Sequence, residues 1–350
     1  MAKFISLFAG VGGFDLGMEQ AGHECVAQVE WDKNAAGVLK HRWPNVPLFC
    51  DVSKVSADDL PDADFITYGF PCQDLSVAGK REGLDGKRSG LFYEATRLIR
   101  ELRTRGCGLR FAVAENVGGL FSADDGVALA RCIRELLDSG ACETGWRLLD
   151  SQYFGVAQRR KRVFIVSDFG GQSVDEILAI TESLPGHPAP SREAGKGTAG
   201  DATKGVREVV SWNGDTTPKA SEDVSVTLRS QQGGEGVGVA HGCDLYNCDI
   251  TGDKSMTLKA AAGNPSVNLP TVLKENLTVR RLTPIECERL QGFPDNWTSE
   301  KMELNLEGNE WKATGKVVKQ ADGPRYKAMG NAVTVNVAEW IGKQMGKVLS

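Results

Sequence analysis

The chain has only four histidines in 350 residues, dispersed at positions 23, 41, 187 and 241. Its nine cysteines carry no paired spacing. Close-set His/Cys clusters are what zinc requires, and regular cysteine spacing is what a disulfide framework requires, so reduced thiols and no metal site are expected. No apolar run approaches the roughly 20 residues of a membrane span. The N-terminus opens directly into Lys3-Phe4-Ile5-Ser6-Leu7-Phe8 with no charged leader or cleavage site, which predicts a cytoplasmic protein with no membrane partner. The dinucleotide fingerprint G-x-G-x-x-G is missing too, and with histidines so scattered a nicotinamide dehydrogenase is discounted.

An excess of positive charge is also lacking, since the formal net charge is −5. The deficit is local. Residues 170–278 hold 9 Lys+Arg against 14 Asp+Glu, while the remainder balances at 32 against 32. Nucleic-acid binding would therefore depend on local clusters rather than a global field. The candidates are Lys80-Arg81, Lys87-Arg88, Arg159 to Arg162 and Arg280-Arg281, each of which could equally be solvated surface.

What is present begins with an alternation of short β-branched or aromatic runs and amphipathic stretches over the first 168 residues, the pattern of a doubly wound α/β sheet. Strands are predicted at 4–8, 24–30, 65–69, 111–115, 146–149 and 162–167, and helices at 13–21, 33–42, 91–103 and 127–139. From about Gly170 helical periodicity disappears and Gly, Ser, Thr, Pro and Asp accumulate, marking a second, irregular β-rich module. Within it the pattern Asp-x-Ser-x-Thr-Leu-basic occurs at 223–229 and again at 253–259, consistent with a duplicated strand and loop. Thr283-Pro284-Ile285-Glu286 has the composition of a capping box with proline at the first helical position, predicting a helix to about Gln291. A hairpin is predicted around Gly308-Asn309 and a final amphipathic helix over 333–348.

Chemistry-bearing residues fall at the predicted strand ends. Phe8-Ala9-Gly10-Val11-Gly12-Gly13 links a strand to a helix and lets a cofactor approach the backbone, as any tight αβ turn would. Glu30 ends the next strand, where a carboxylate accepts hydrogen bonds from ribose hydroxyls. Trp31 either lies against an adenine face or packs in the core, and Asp51 either takes an adenine amino group or caps a turn. Pro71-Cys72-Gln73 follows strand 65–69 at the edge where open α/β sheets bind ligands. A buried inert thiol is the ordinary reading of one cysteine, but the fixed Pro71 and the polar, basic loop to Gly90 favour a nucleophile beneath a mobile cover. Glu115, in Ala114-Glu115-Asn116-Val117, is a catalytic acid if its surroundings raise its pKa, or otherwise a cap.

Taken in order, these segments resemble the cytosine-C5 DNA methyltransferase family, of bacterial or phage type. The resemblance covers about residues 3–168 and 279–343. It rests on six blocks: Phe8 to Gly13, Gly69-Phe70-Pro71-Cys72-Gln73, Glu115-Asn116-Val117, Gln158-x-Arg160-x-Arg162, Arg281-Leu282-Thr283 through Gln291-Gly292-Phe293-Pro294, and Gly330-Asn331-Ala332-Val333. Each block alone is weak; the ordered set is specific.

The resemblance implies a Rossmann-like S-adenosylmethionine-dependent fold, a flipped-out cytosine in double-stranded DNA, and covalent catalysis in which Cys72 adds to C6. It assigns Glu115 to N3 and the exocyclic amine, Arg162 to O2, and Arg160 to support of the catalytic loop. Phe8, Gly10, Gly12, Gly13, Glu30, Trp31, Asp51, Pro71, Leu91, Asn331 and Val333 are implied cofactor contacts. Gln73, Ser76, Lys80 and Arg81, with Arg229 and Lys259 in the insert, are the expected DNA contacts. The implied catalytic domain is discontinuous, 1–169 plus 326–350. Residues 170–325 form the implied target-recognition region, with a DNA-contacting helix near 283–291 and a hairpin insert at 299–325. A monomer is expected. RNA-directed relatives carry a Thr-Cys block or a Cys-Phe-Thr element, neither of which is found here, and an inactive scaffold would have lost Cys72, Glu115 or the arginines.

Overall fold

The computed structural model describes residues 1–70, 90–121, 123–180, 243–244, 249–250, 271–273 and 279–349. Its centre is a nine-stranded sheet built from β1 (Lys3–Leu7), β2 (Glu24–Val29), β3 (Leu48–Phe49), β4 (Phe65–Gly69), β5 (Phe111–Val117), β6 (Glu143–Asp150) and β7 (Lys161–Asp168), completed by a late hairpin, β12 (Glu300–Glu307) and β13 (Glu310–Lys319). The strand order is β12-β13-β3-β2-β1-β4-β5-β7-β6. The run from β3 to β5 is parallel, and β7, β6 and the hairpin pair antiparallel. This is the mostly parallel, doubly wound α/β sheet that the alternation predicted.

Chain direction reverses across the sheet between β1 and β4, because β2 and β3 follow β1 on one side while β4 and β5 lie on the other. Such a switch point opens a crevice outside the carboxyl ends of the strands. Four of those ends, carrying Phe8, Glu30, Asp51 and Phe70, issue at this edge, with Glu115 in register with Gly69.

Among the described residues the helices are α1 (Gly13–Gln20), α2 (Lys33–Arg42), α3 (Gly90–Arg105), α4 (Val127–Asp138), α5 (Val174–Leu178), α6 (Pro284–Leu290), α7 (Asp322–Asn331) and α8 (Val335–Leu349). The Leu129, Cys132 and Leu136 stripe of α4 joins the core with Phe92, Leu98 and Leu102 of α3, as an apolar helical face must. On the other side of the sheet α1 and α8 meet almost backbone to backbone. A Cβ on Gly13 would stand 2.4 Å from the carbonyl oxygen of Val333, and one on Gly17 would stand 2.6 Å from the Cβ of Ala338. The C-terminal helix thereby packs onto the first helix of the chain.

The capping box at the start of α6 forms as its sequence predicts: Glu286 N donates to Thr283 Oγ1 at 3.3 Å, and Thr283 N donates to Glu286 Oε2 at 2.6 Å. Between the two core segments lie two short antiparallel ladders, β8 (Cys243–Asp244) with β9 (Asp249–Ile250), and β10 (Thr271–Leu273) with β11 (Val279–Arg281). The duplicated motifs at 223–229 and 253–259 lie outside the described residues.

The hairpin corrects one expectation. Sequence reading placed 299–325 with the recognition region, whereas β13 pairs with β3 through Glu310 and Phe49 and extends the central sheet. Its inward residues Leu304 and Trp311 are buried in one cluster with Leu39, Leu48 and Cys50. Alternation along the strands placed those apolar residues on one face, but could not say which face of which element would cover them. Strand β3 and helix α7 also escaped prediction, the first because it has two residues and the second because its apolar pattern is sparse.

Candidate active site

The glycine turn after β1 is strained and open in different places. Phe8 has φ 53°, a left-handed value that a non-glycine residue adopts at a cost of about 1–3 kcal/mol. Gly10, at φ 59°, faces open space where a Cβ would be, so its surface is free for a ligand. Gly12 and Gly13 face protein instead: a Cβ on Gly12 would strike the indole of Trp43, and Gly13 abuts Val333. The demand for glycine comes from packing at Gly13 and from packing together with a left-handed φ of 87° at Gly12, which the motif could not distinguish from ligand approach. Trp297 closes the turn from outside, donating from Nε1 to the carbonyl of Val11 at 2.8 Å.

Glu30 organises the next wall. Its Oε2 accepts the Gly10 N–H at 2.8 Å and its Oε1 accepts the Asp32 N–H at 2.7 Å. Burial raises its pKa to about 7 against the opposing pull of those two donors. Asp32 caps α2 through Asn34 N at 2.8 Å and pairs with Lys327 of α7 at 2.6 Å. Trp31 between them is 69% exposed, which removes the core-packing alternative and leaves a free indole face beside Glu30.

At the end of β3 Oδ1 of Asp51 accepts from Ser53 N at 3.1 Å and Ser53 Oγ at 2.7 Å, so one of its two carboxylate oxygens caps the turn. Desolvation is the largest single influence on Asp51 and opposes ionisation, but the Ser53 hydrogen bonds and Lys54 together outweigh it and hold its pKa below the usual carboxylate value. Leu91, at the start of α3, is half-buried and packs with Phe8 against the core.

The opposite half of the crevice carries the acid-base groups. Arg162 Nε lies 2.9 Å from Glu115 Oε1, and the side chains are only 7% and 11% exposed. Asn116 extends its amide to the carbonyl of Phe70 at 3.3 Å, tethering the point where the chain leaves β4. Arg160 is buried and donates from Nη2 to the carbonyls of Ala332 at 2.8 Å and Gly330 at 3.3 Å. Burial, with repulsion from Arg162, pushes its pKa well below the arginine value. One guanidinium thus faces the carboxylate while the other grips the segment carrying Asn331 and Val333. Asn331 is exposed and Val333 buried.

Pro71, Cys72, Gln73, Ser76, Lys80 and Arg81 lie outside the described residues, as do Arg229 and Lys259. Of the predicted site residues that are described, the fold gathers Phe8, Gly10, Glu30, Trp31, Asp51, Glu115, Arg160, Arg162, Asn331 and Val333 around the carboxyl edge of one sheet. Asn116, Asn309 and Trp311 took no role in the sequence reading; Asn116 sits inside the Glu-Asn-Val block, and Asn309 and Trp311 sit at the predicted hairpin turn. Among the described residues no His/Cys/Asp/Glu group could hold a metal, and no helix is long and apolar enough to cross a membrane.

A switch-point crevice with a glycine turn, an acidic strand end and an exposed indole defines a Rossmann-like fold of the S-adenosylmethionine-dependent methyltransferase class. The chain belongs to the C-5 cytosine-specific DNA methylase family, whose sequence model matches residues 2–347. It is 30% identical over 349 residues to the type II methyltransferase M2.BsuMI of Bacillus subtilis, covering 99% of this chain and 75% of that protein. It is 27% identical over 362 residues to the type II methyltransferase M.HhaI of Haemophilus parahaemolyticus, covering 99% and 95%. Among solved structures, S. pombe Dnmt2 methyltransferase superposes with TM-score 0.60 at 14% identity, covering 100% of both chains, a likeness of fold.

Proposed function

We propose that this protein transfers a methyl group to C5 of a cytosine within a specific DNA sequence, with Cys72 as nucleophile and Glu115 and Arg162 as its partners on the base. The observation that carries the reading is the nearly buried Glu115–Arg162 pair beside the end of β4. Cys72 follows Phe70, the residue after β4, by two positions in the sequence.

The base must leave the stack to meet these groups. Attack of the Cys72 thiolate on C6 forms a C–S bond and moves electron density to C5, which is otherwise a poor nucleophile. Glu115 passes a proton to N3 and Arg162 donates to O2, so the ring's charge is matched as it develops. Bound S-adenosylmethionine supplies an electrophilic methyl group to C5. Transfer of the C5 proton to solvent and of the N3 proton back to Glu115 re-forms the C5–C6 double bond, breaks the C–S bond and leaves free Cys72 thiolate and 5-methylcytosine. Arg160 positions rather than reacts, since its guanidinium is spent on the 330–332 carbonyls.

The cofactor fits the residues present: Gly10 leaves open space, Trp31 offers a free face and Glu30 a carboxylate. Phe8, Gly10, Glu30, Trp31, Asp51, Pro71, Leu91, Asn331 and Val333 would hold it, with Gly12 and Gly13 shaping the turn. No metal has a part in this chemistry. Gln73, Ser76, Lys80 and Arg81 would follow the DNA near the flipped base. Recognition of the sequence falls to the segment between α5 and α6, through Arg229 and Lys259. The protein would act as a monomer in the cytoplasm of a bacterium or a phage-infected cell, in the setting of restriction-modification.

The test is transfer of labelled methyl from S-adenosylmethionine to DNA, followed by location of the modified bases. Label in cytosine C5, its loss in Cys72→Ser, and covalent capture of wild type by 5-fluorocytosine DNA are expected. Label confined to adenine or RNA, or full turnover by Cys72→Ser, overturns the reading.

A further inference from the structure

The β12–β13 hairpin is joined to the crevice by side chains as well as by the sheet. Its two-residue turn is Gly308-Asn309, with Gly308 at φ 61° in the place that a hairpin turn of this length reserves for glycine. Asn309 then makes three hydrogen bonds to consecutive residues at the end of β3. Its carbonyl accepts Cys50 N at 2.8 Å, its Oδ1 accepts Asp51 N at 2.9 Å, and its Nδ2 donates to Asp51 O at 2.9 Å. Two residues further, Trp311 donates from Nε1 to the carbonyl of Glu30 at 2.9 Å, and the Glu30 N–H donates to Phe49 O at 2.9 Å. Both backbone groups of Glu30 and both of Asp51's neighbouring amide positions are therefore fixed by partners on or next to the hairpin.

These bonds exceed what the hairpin needs to hold its place. Burial of Leu304 and Trp311, and contact of Lys301 with Asn34 on α2, already anchor it to the sheet and helix. The amide of Asn309 and the indole N–H of Trp311 add direction, and they add it at the backbones of two acidic residues that end the adjacent strands β2 and β3. A carboxylate can discriminate among donors only if its backbone does not drift, because a misplacement of about 1 Å is enough to lose a directional contact.

We propose that Asn309 and Trp311 are positioning residues for the adenosine half of the cofactor, holding Glu30 and Asp51 at a fixed separation so that ribose and base are gripped together. The inference rests on the proposed reading in which Glu30 and Asp51 face the cofactor. It assigns the late hairpin to cofactor recognition rather than to DNA.

The test measures binding of S-adenosylhomocysteine by calorimetry to the full chain without DNA, for Asn309→Ala, Asn309→Asp and Trp311→Phe. Trp311→Phe keeps a buried aromatic ring and removes the N–H together with the second ring of the indole, so its melting temperature is measured beside its affinity. Affinity is expected to fall about ten-fold for Asn309→Ala and for Trp311→Phe, the scale of one or two directed hydrogen bonds, with Asn309→Asp between wild type and alanine. KM for S-adenosylmethionine should rise by more than kcat falls. Asn309→Ala should weaken S-adenosylhomocysteine more than S-inosylhomocysteine, which lacks the 6-amino group. Affinity within two-fold of wild type in Asn309→Ala and Trp311→Phe, with only a lowered melting temperature, overturns the proposal and makes the hairpin purely structural. Glu30→Ala separates the two levels: if it too leaves binding unchanged, the cofactor reading itself fails, whereas a loss there alone sinks only the role of the hairpin.

Discussion

The carboxylate of Glu115 meets the guanidinium of Arg162 at 2.9 Å across two antiparallel strands whose register sets Val117 opposite Arg162. The arginine reaches back along the ladder to the residue two positions before its register partner, and each group orients the other. Arg160, two residues before Arg162, is instead committed to the backbone of 330–332.

That division separates two variants. Glu115→Gln should lower kcat by about 10²- to 10⁴-fold, the usual range for loss of a positioned acid, with S-adenosylhomocysteine affinity unchanged within two-fold. Arg160→Met should lower kcat and cofactor affinity together, because the Gly330 and Ala332 carbonyls lose their donor. Steady-state kinetics and calorimetry on both proteins check the contrast; equal cofactor loss in Glu115→Gln would contradict it.

The raised pKa of Glu30, about 7, makes a signed pH prediction. Between about 4.5 and 7 the folded chain holds more of this proton than the unfolded chain, so this group's contribution to stability is full below 4.5 and is lost as pH rises through 7. Ribose hydroxyls donate best to the ionised form, so cofactor affinity should run the other way and weaken as pH falls below 7. Urea midpoints of the apo protein and S-adenosylhomocysteine titrations from pH 5.5 to about 8 should show both slopes, and Glu30→Gln should flatten both.

The contact of α1 with α8 predicts that Gly17→Ala destabilises by about 1–3 kcal/mol, since the added carbon would stand 2.6 Å from both Ala338 Cβ and Val335 O. Gly13→Ala meets backbone at Val333 and should also weaken cofactor binding through displacement of that segment. Denaturant melts with and without S-adenosylhomocysteine distinguish the two. A ligand-induced stabilisation that is preserved in Gly13→Ala would show that Val333 does not line the cofactor.

Beneath the hairpin, buried Glu288 accepts from Arg325 Nη2 at 3.0 Å and from Thr298 N at 2.9 Å, joining α6 to α7. Arg325→Leu leaves a buried carboxylate without its cation and should cost about 3–5 kcal/mol. The double variant Glu288→Leu with Arg325→Leu should recover much of that loss, and a denaturation double-mutant cycle measures the coupling. A double variant as unstable as the single one would place the cost in packing instead of charge.

Periodicity was enough to locate six of the sheet's first seven strands along the chain, missing only the two-residue β3, while the resemblance of the ordered blocks named Glu30, Glu115, Arg160 and Arg162 as residues of one site. These are local properties: alternation fixes faces, a glycine turn fixes a strand-to-helix junction, and ordered blocks fix the family. The sequence could not show that Trp43 and Val333 press on Gly12 and Gly13, that Gly12 also takes a left-handed φ, or that Trp31 faces solvent. Nor could it show that a hairpin more than 250 residues along the chain from β3 would complete the same sheet and clasp Glu30 and Asp51. Those outcomes depend on which distant surfaces cover one another, a matter of packing between elements that no local pattern encodes.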